Sequence, residues 1–208
     1  MSDVWKTYHV RGRFVDRVYG GLPGNPKIIE QFLTIKGVSA ESFEAAQEMI
    51  ETSQKLSTYE GAERSVTGIF GKDETGIFLS GHQINAAIRK AMEMMQPITN
   101  WRRKAAYGIR VLPSRIYLMR NGSPVTKEDG FEQRVIHTEY MGKPMSSLKK
   151  TGYAVSPDFE FDICVTNSKK GPLLDEQTIR NILEQMEIQG IGAMHSMGEG
   201  MCALELVK

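Results

Sequence analysis

The feature that most restricts how this chain folds lies near its end. Residues 190–200 read Gly190-Ile-Gly192-Ala-Met-His195-Ser-Met-Gly198-Glu-Gly200, four glycines in eleven residues. The segment before them has a helical period: Asp175 is a cap, and Ile179, Ile182, Leu183 and Met186 form one stripe. The segment after them, MCALELV, reads as a strand. A helix-to-strand join needs about one glycine at the helix end. Two spaced pairs exceed that need. Glycine takes positive φ and leaves no side chain between backbone and ligand, so the pattern suits a loop that brings amide groups close to phosphate. The plain alternative is a flexible connector.

The rest of the chain places this loop in a fold. Residues 7–19 alternate, with Tyr8, Val10, Phe14 and Val18 on one face and His9, Arg11, Arg13 and Arg17 on the other, which predicts a strand. Helical patterns follow from Asn25-Pro26 through Ile29, Phe32 and Leu33, and over 39–56 with Ser39 as cap and Phe43, Ala46 and Ile50 inside. Two apolar runs in 66–79 predict a hairpin. Ser80 opens a helix whose stripe is Ile84, Ala87, Ile88, Ala91 and Met95. Residues 115–120 predict a strand closed by the Asn121-Gly122 turn, and 159–165 another. Residues 121–158 are long, polar and irregular, as a functional, mobile or hairpin insertion would be. The core order is βαββαβ. The expectation is therefore one α+β domain over 1–208, ferredoxin-like (RRM-type), with a C-terminal glycine-rich loop. Its core is 7–19, 77–120 and 158–207; 20–76 and 121–157 are insertions.

With these residues in place, the chain resembles the RAMP superfamily, the ferredoxin-like proteins that form the backbone, capping and repeat-processing subunits of CRISPR ribonucleoproteins. The glycine segment is similar to that family's G-rich signature. Ser80-Gly81-His82-Gln83-Ile84-Asn85-Ala86-Ala87-Ile88-Arg89 resembles its helix start. The resemblance implies a protein that binds RNA or another single strand, as a ribonucleoprotein subunit, a self-assembling coat, or a free-standing homologue from a phage or other mobile element. It implies nucleic-acid contacts at Gly190, Gly192, His195, Gly198 and Gly200, with His82, Gln83 and Arg89 near phosphate at the helix start. It also implies that residues 131–152 reach over the strand or onto a neighbour. One departure stands out. Related loops carry a Lys or Arg between the glycine pairs, whereas here Ala193 to Met197 offer only His195 as a cation.

Charge must be local, because 26 Lys and Arg against 25 Asp and Glu leave a formal net charge of +1. Two clusters qualify. One is the strand face of His9, Arg11, Arg13 and Arg17. The other is Trp101-Arg102-Arg103-Lys104 with Tyr107 and Arg110, where bases would stack and cations neutralise phosphate. The bland reading of both is a solvated surface. Cys164 and Cys202 sit in apolar runs and read as buried thiols, and no His or Cys pair has metal spacing, so neither metal nor cofactor is expected. No apolar run is long enough to span a bilayer, and the N-terminus lacks a signal-peptide pattern, so the expected location is the cytoplasm. Two other readings remain open. One is a metal-independent endoribonuclease using His9 or His195 as acid or base. The other is an assembly protein that binds no nucleic acid.

Overall fold

The computed structural model describes residues 4–23, 66–95, 100–140, 143–168 and 171–207. The helical patterns expected over 25–33 and 39–56 lie outside the described residues. The chain is a mixed α+β protein. Its described strands are β1 (Trp5–Phe14), β2 (Arg17–Tyr19), β3 (Leu22–Pro23), β4 (Val66–Ile69), β5 (Gly71–Lys72), β6 (Ile77–Ser80), β7 (Ile109–Leu112), β8 (Arg115–Tyr117), β9 (Met119–Arg120), β10 (Ser123–Pro124), β11 (Gly130–Tyr140), β12 (Lys143–Val155), β13 (Asp158–Ser168), β14 (Gly171–Pro172) and β15 (Cys202–Val207). Its described α-helices are α1 (Gly81–Met94), α2 (Trp101–Tyr107) and α3 (Glu176–Gln189).

In the main sheet β1 lies between β15 and β13, and β13 pairs on its far side with β7; all three pairings are antiparallel. The inward positions of β1 and β13, including Tyr8, Val10, Phe14, Phe159, Phe161 and Ile163, are buried. They share one core with Ile84, Ala87, Ile88 and Ala91 of α1 and with Ile179, Ile182, Leu183 and Met186 of α3. Both helices therefore cover the same face of the sheet. Their stripes are those the 3.6-residue period marks, and Asp175 caps α3 by accepting the Thr178 N–H at 2.8 Å.

Three sequence expectations need correction. The strand expected over 7–19 is two strands in two sheets. The chain bends at Val15-Asp16, where Phe14 N–H donates to Pro157 O and Ser156 N–H to Asp16 O, and β2 then pairs with β12. The alternation is inverted at this point, with apolar Val15 on the basic face and Asp16 on the apolar face, and that inversion marks the bend in the sequence itself. The hairpin expected over 66–79 is confined to its turn. There β5 pairs with β6 through Gly71↔Phe78 and Lys72↔Ile77, while β4, the body of the first run, lies parallel to β12, and β6 pairs on its other side with β8. The strand expected over 115–120 likewise splits, with β8 against β6 and β9 against β10 across the Asn121-Gly122 turn. Both turn residues have positive φ, 51° and 77°, as that turn requires.

The stretch over 121–158 is mostly a long hairpin. β11 and β12 stay in register from Gly130↔Tyr153 to Tyr140↔Lys143, roughly 35 Å of ladder. Its base joins β2 and β4, so parts of the two insertions form one second sheet with order β11-β12-β4-β3. The base is held to the main sheet by Arg120, which donates to both carboxylate oxygens of Asp129 at 3.0 and 2.5 Å.

Candidate functional site

The loop after α3 closes on itself. Gly190, Gly192, Gly198 and Gly200 all have positive φ, at 78°, 94°, 82° and 76°. Ile191 N–H donates to Gly200 O at 2.8 Å, which brings the two glycine pairs side by side. A Cβ on Gly190 would collide with the Glu199 carbonyl, and one on Gly200 with the Ile191 carbonyl. A Cβ on Gly192 would lie 3.0 Å from Tyr19 O and 3.1 Å from Val18 Cγ2. These three positions are glycine because backbone packs against backbone there. Gly198 differs: nothing lies within 4 Å of its Cβ position, so only its φ calls for glycine.

The loop amides divide in the same way. Those of Ala193 and Gly200 donate to Tyr19 O and Arg17 O, each at 3.1 Å, and stitch the loop to β2. Those of Gly190, Ile191, Met197, Gly198 and Glu199 also donate to protein carbonyls. The loop as a whole is therefore not an open array of donors, contrary to the expectation from glycine content. Among the described residues, the amides without a carbonyl partner include those of Met194, His195 and Ser196 at the tip. Met194 is left-handed (φ 62°) and is followed by a 3-10 turn over His195–Met197. That left-then-right-handed sequence forms a shallow nest of N–H groups suited to an anion. His195 Nδ1 donates to Gly192 O at 3.0 Å, which fixes the ring beside the tip.

Two other segments meet this loop. Gly21 lies where a Cβ would sit 2.5 Å from Gln83 Nε2 and 3.8 Å from Ala193 Cβ, so the Gly20-Gly21 link between β2 and β3, the first turn of α1 and the loop converge. Gln83 is in part a helix cap, since its Oε1 accepts the Ser80 N–H at 2.9 Å. His82 is exposed in the same turn. Arg89 is exposed but lies about 12 Å further along the axis, so it is not at the helix start.

The strand-one cations are already engaged. His9 Nδ1 lies 2.7 Å from Asp162 Oδ1, Arg11 donates to Glu160 at 2.8 Å, and Arg13 grips both oxygens of Asp158 at 2.5 and 3.0 Å. The Asp158 carboxyl is held below its usual range chiefly by the Arg13 hydrogen bond. The open face of the sheet is thus a ladder of opposite charges, not a basic stripe. Beside it lies a groove of about 540 Å³, lined in part by Arg11, Arg13, Arg115, Tyr117 and Met119. The signal was present in the sequence: Asp158, Glu160 and Asp162 alternate just as His9, Arg11 and Arg13 do, but only the register sets them opposite. Arg102 and Arg103 lie on α2, whose Gly108 end meets Thr166, the partner of Trp5. That is the other end of β1 from the glycine loop, roughly 30 Å away.

Sequence reasoning missed one cluster. Glu132 of β11 accepts from the Tyr19 hydroxyl, from Arg17 at 3.2 Å and from Arg134 Nε at 2.6 Å. Arg134 Nη2 also donates to Glu199 Oε1 at 2.6 Å, joining the hairpin to the glycine loop. The Arg134 and Tyr19 hydrogen bonds hold Glu132 down at about 2. Two carboxylates raise Arg134 above its ordinary value, while burial is the first cause raising Tyr19. Arg17 and Tyr19 share one face of β2, and Glu132 and Arg134 one face of β11, but no spacing rule connects the two strands to each other or to Glu199.

Both cysteines are buried thiols, and burial pushes Cys202 up to about 12. Among the described residues no cluster of three or more His, Cys, Asp or Glu is arranged to hold a metal ion. No described helix is long and apolar enough to cross a membrane. No family model and no curated protein sequence matches the chain.

Proposed function

We propose that this chain is a RAMP-type, ferredoxin-like protein that grips single-stranded nucleic acid, RNA in particular, by its sugar-phosphate backbone. The observation that carries the reading is the convergence of three features. These are the tip amides of a positive-φ glycine loop, the Gly20-Gly21 link between β2 and β3, and the first turn of α1. Backbone N–H groups at a nest favour phosphate over any particular base, and the α1 start adds the positive end of its dipole, since its Gly81 N–H already donates to Ser114 O. The strand order β15-β1-β13-β7, with both long helices on one face, is the arrangement expected of a βαββαβ core and supports the fold part of the reading. His195, His82 and the exposed Gly198 face of the loop are the contacts in this scheme. Arg102 and Arg103 serve a strand long enough to reach the far end of the sheet. The hairpin is the natural element to meet a neighbouring copy or a related subunit in a ribonucleoprotein.

The test is retardation of labelled RNA and DNA single strands of unrelated sequence across a salt series. Affinity should fall steeply with salt and vary less than about tenfold among sequences, which is about 1.4 kcal/mol. No retardation at low salt, with no nucleic acid in the purified protein, would favour the assembly-protein reading instead.

One observation favours a second reading. His9 paired through Nδ1 to Asp162 is a suitable arrangement for proton transfer, as an endoribonuclease acting on a ribose 2′-OH requires. RNA cleavage in EDTA that is lost in His9→Ala would establish it.

A further inference from the structure

The glycine loop lacks a Lys or Arg of its own between its glycine pairs, yet it touches one from elsewhere. Arg134 comes from β11, and its Nη2 lies 2.6 Å from Glu199 Oε1. Glu199 stands between Gly198 and Gly200, next to the one loop glycine whose Cβ position faces open space. The guanidinium is not loosely placed. Glu132 accepts from its Nε at 2.6 Å, the Tyr19 hydroxyl lies 3.4 Å from Nη2, and the Tyr19 ring centre lies 5.5 Å from its central carbon. Glu132 is in turn fixed by Arg17 and by the Tyr19 hydroxyl. One carboxylate thus positions Arg134 from the β2 side, and a second, Glu199, occupies the face that belongs to the loop.

A carboxylate on a guanidinium fork has the same donor–acceptor geometry as a phosphate oxygen. We propose that Arg134 is the phosphate-binding cation of the glycine loop, supplied by the hairpin, and that Glu199 holds its place until a strand displaces it. The proposal rests on the strand-binding reading above and adds to it a residue and an internal competitor. Cluster charges agree: Arg17 and Arg134 balance Glu132 and Glu199, so the cluster is neutral and an incoming phosphate must compete with Glu199. Glu199 is the replaceable partner of the two. It makes one bond to Arg134, whereas Glu132 is tied to Arg134, Arg17 and Tyr19 together.

The experiment compares the parent with Glu199→Gln, Arg134→Gln and Arg134→Lys on one labelled RNA strand over a salt series, with thermal melts of each. Glu199→Gln should bind about three- to tenfold more tightly, because the competitor loses its charge. Arg134→Gln should bind more weakly, and its slope of log affinity against log salt should be shallower by about 0.7, the loss of one phosphate contact on a single strand. Arg134→Lys should recover the slope but not the full affinity, since an ammonium keeps the charge without the fork. A purely structural clasp would lower the melting temperatures and leave the salt slope unchanged. If Arg134→Gln melts too low to assay, Glu199→Gln and Arg134→Lys still decide. Unchanged or weaker binding by Glu199→Gln, or a parental slope in a folded Arg134→Gln, overturns the assignment of Arg134 while leaving strand binding intact. A parent protein that retards no strand overturns both.

Discussion

The glycine loop and the first strand are both marked by the sequence for nucleic acid, and the structure builds them in opposite ways. The strand carries its own cations, and each of His9, Arg11 and Arg13 faces an acid on β13. The loop carries no Lys or Arg, but its tip amides are open, and it borrows Arg134, 65 residues before Glu199, which holds it. The contrast teaches that counting charge along a sequence is a weak guide to where an anion will bind. Charge that pairs across a ladder is engaged within the fold, whereas backbone donors held in a strained turn remain available.

The comparison breaks first at Gly200. Gly200→Val must place a branched side chain against the Ile191 carbonyl at positive φ. The cost is about 3 kcal/mol or more, measured as a large drop in melting temperature. A parental melt would mean that the two glycine pairs are not packed as described. Gly198→Val separates binding from folding. It meets no neighbour and bears only the backbone strain, about 1–3 kcal/mol, so the protein should still fold while strand binding is lost. Parental binding by a folded Gly198→Val would reduce the loop to a connector.

Acid probes the contrast at the hairpin base. Glu132 is depressed from 4.5 to about 2, so its contribution to stability is full above its ordinary value and is lost as pH falls through about 2. The parent's melting temperature should therefore decline between these two values, and Glu132→Gln should decline less steeply. Identical pH profiles would remove Glu132 from the account. The smallest effect belongs to the ladder. Arg13→Gln should leave the melt and the salt slope close to the parent's, because its exposed guanidinium is already engaged by Asp158. A slope shallower by about 0.7 would return Arg13 to the binding surface.

Elements whose signals are short-range were legible without the structure. Examples are the α1 and α3 stripes, the Asp175 cap, the Asn121-Gly122 turn and the positive φ of all four loop glycines. Each depends on residues within a turn or two, so periodicity and turn chemistry suffice to read it. Which sheet each strand joins was settled by the three-dimensional fold alone. It put the two halves of 7–19 in different sheets, laid β4 along β12 and set Asp158, Glu160 and Asp162 opposite the strand-one cations. It also brought Arg134 to Glu199. Strand pairing and ion pairing are contacts between segments far apart in the chain, and alternation sets which face a side chain takes but not which strand lies beside it.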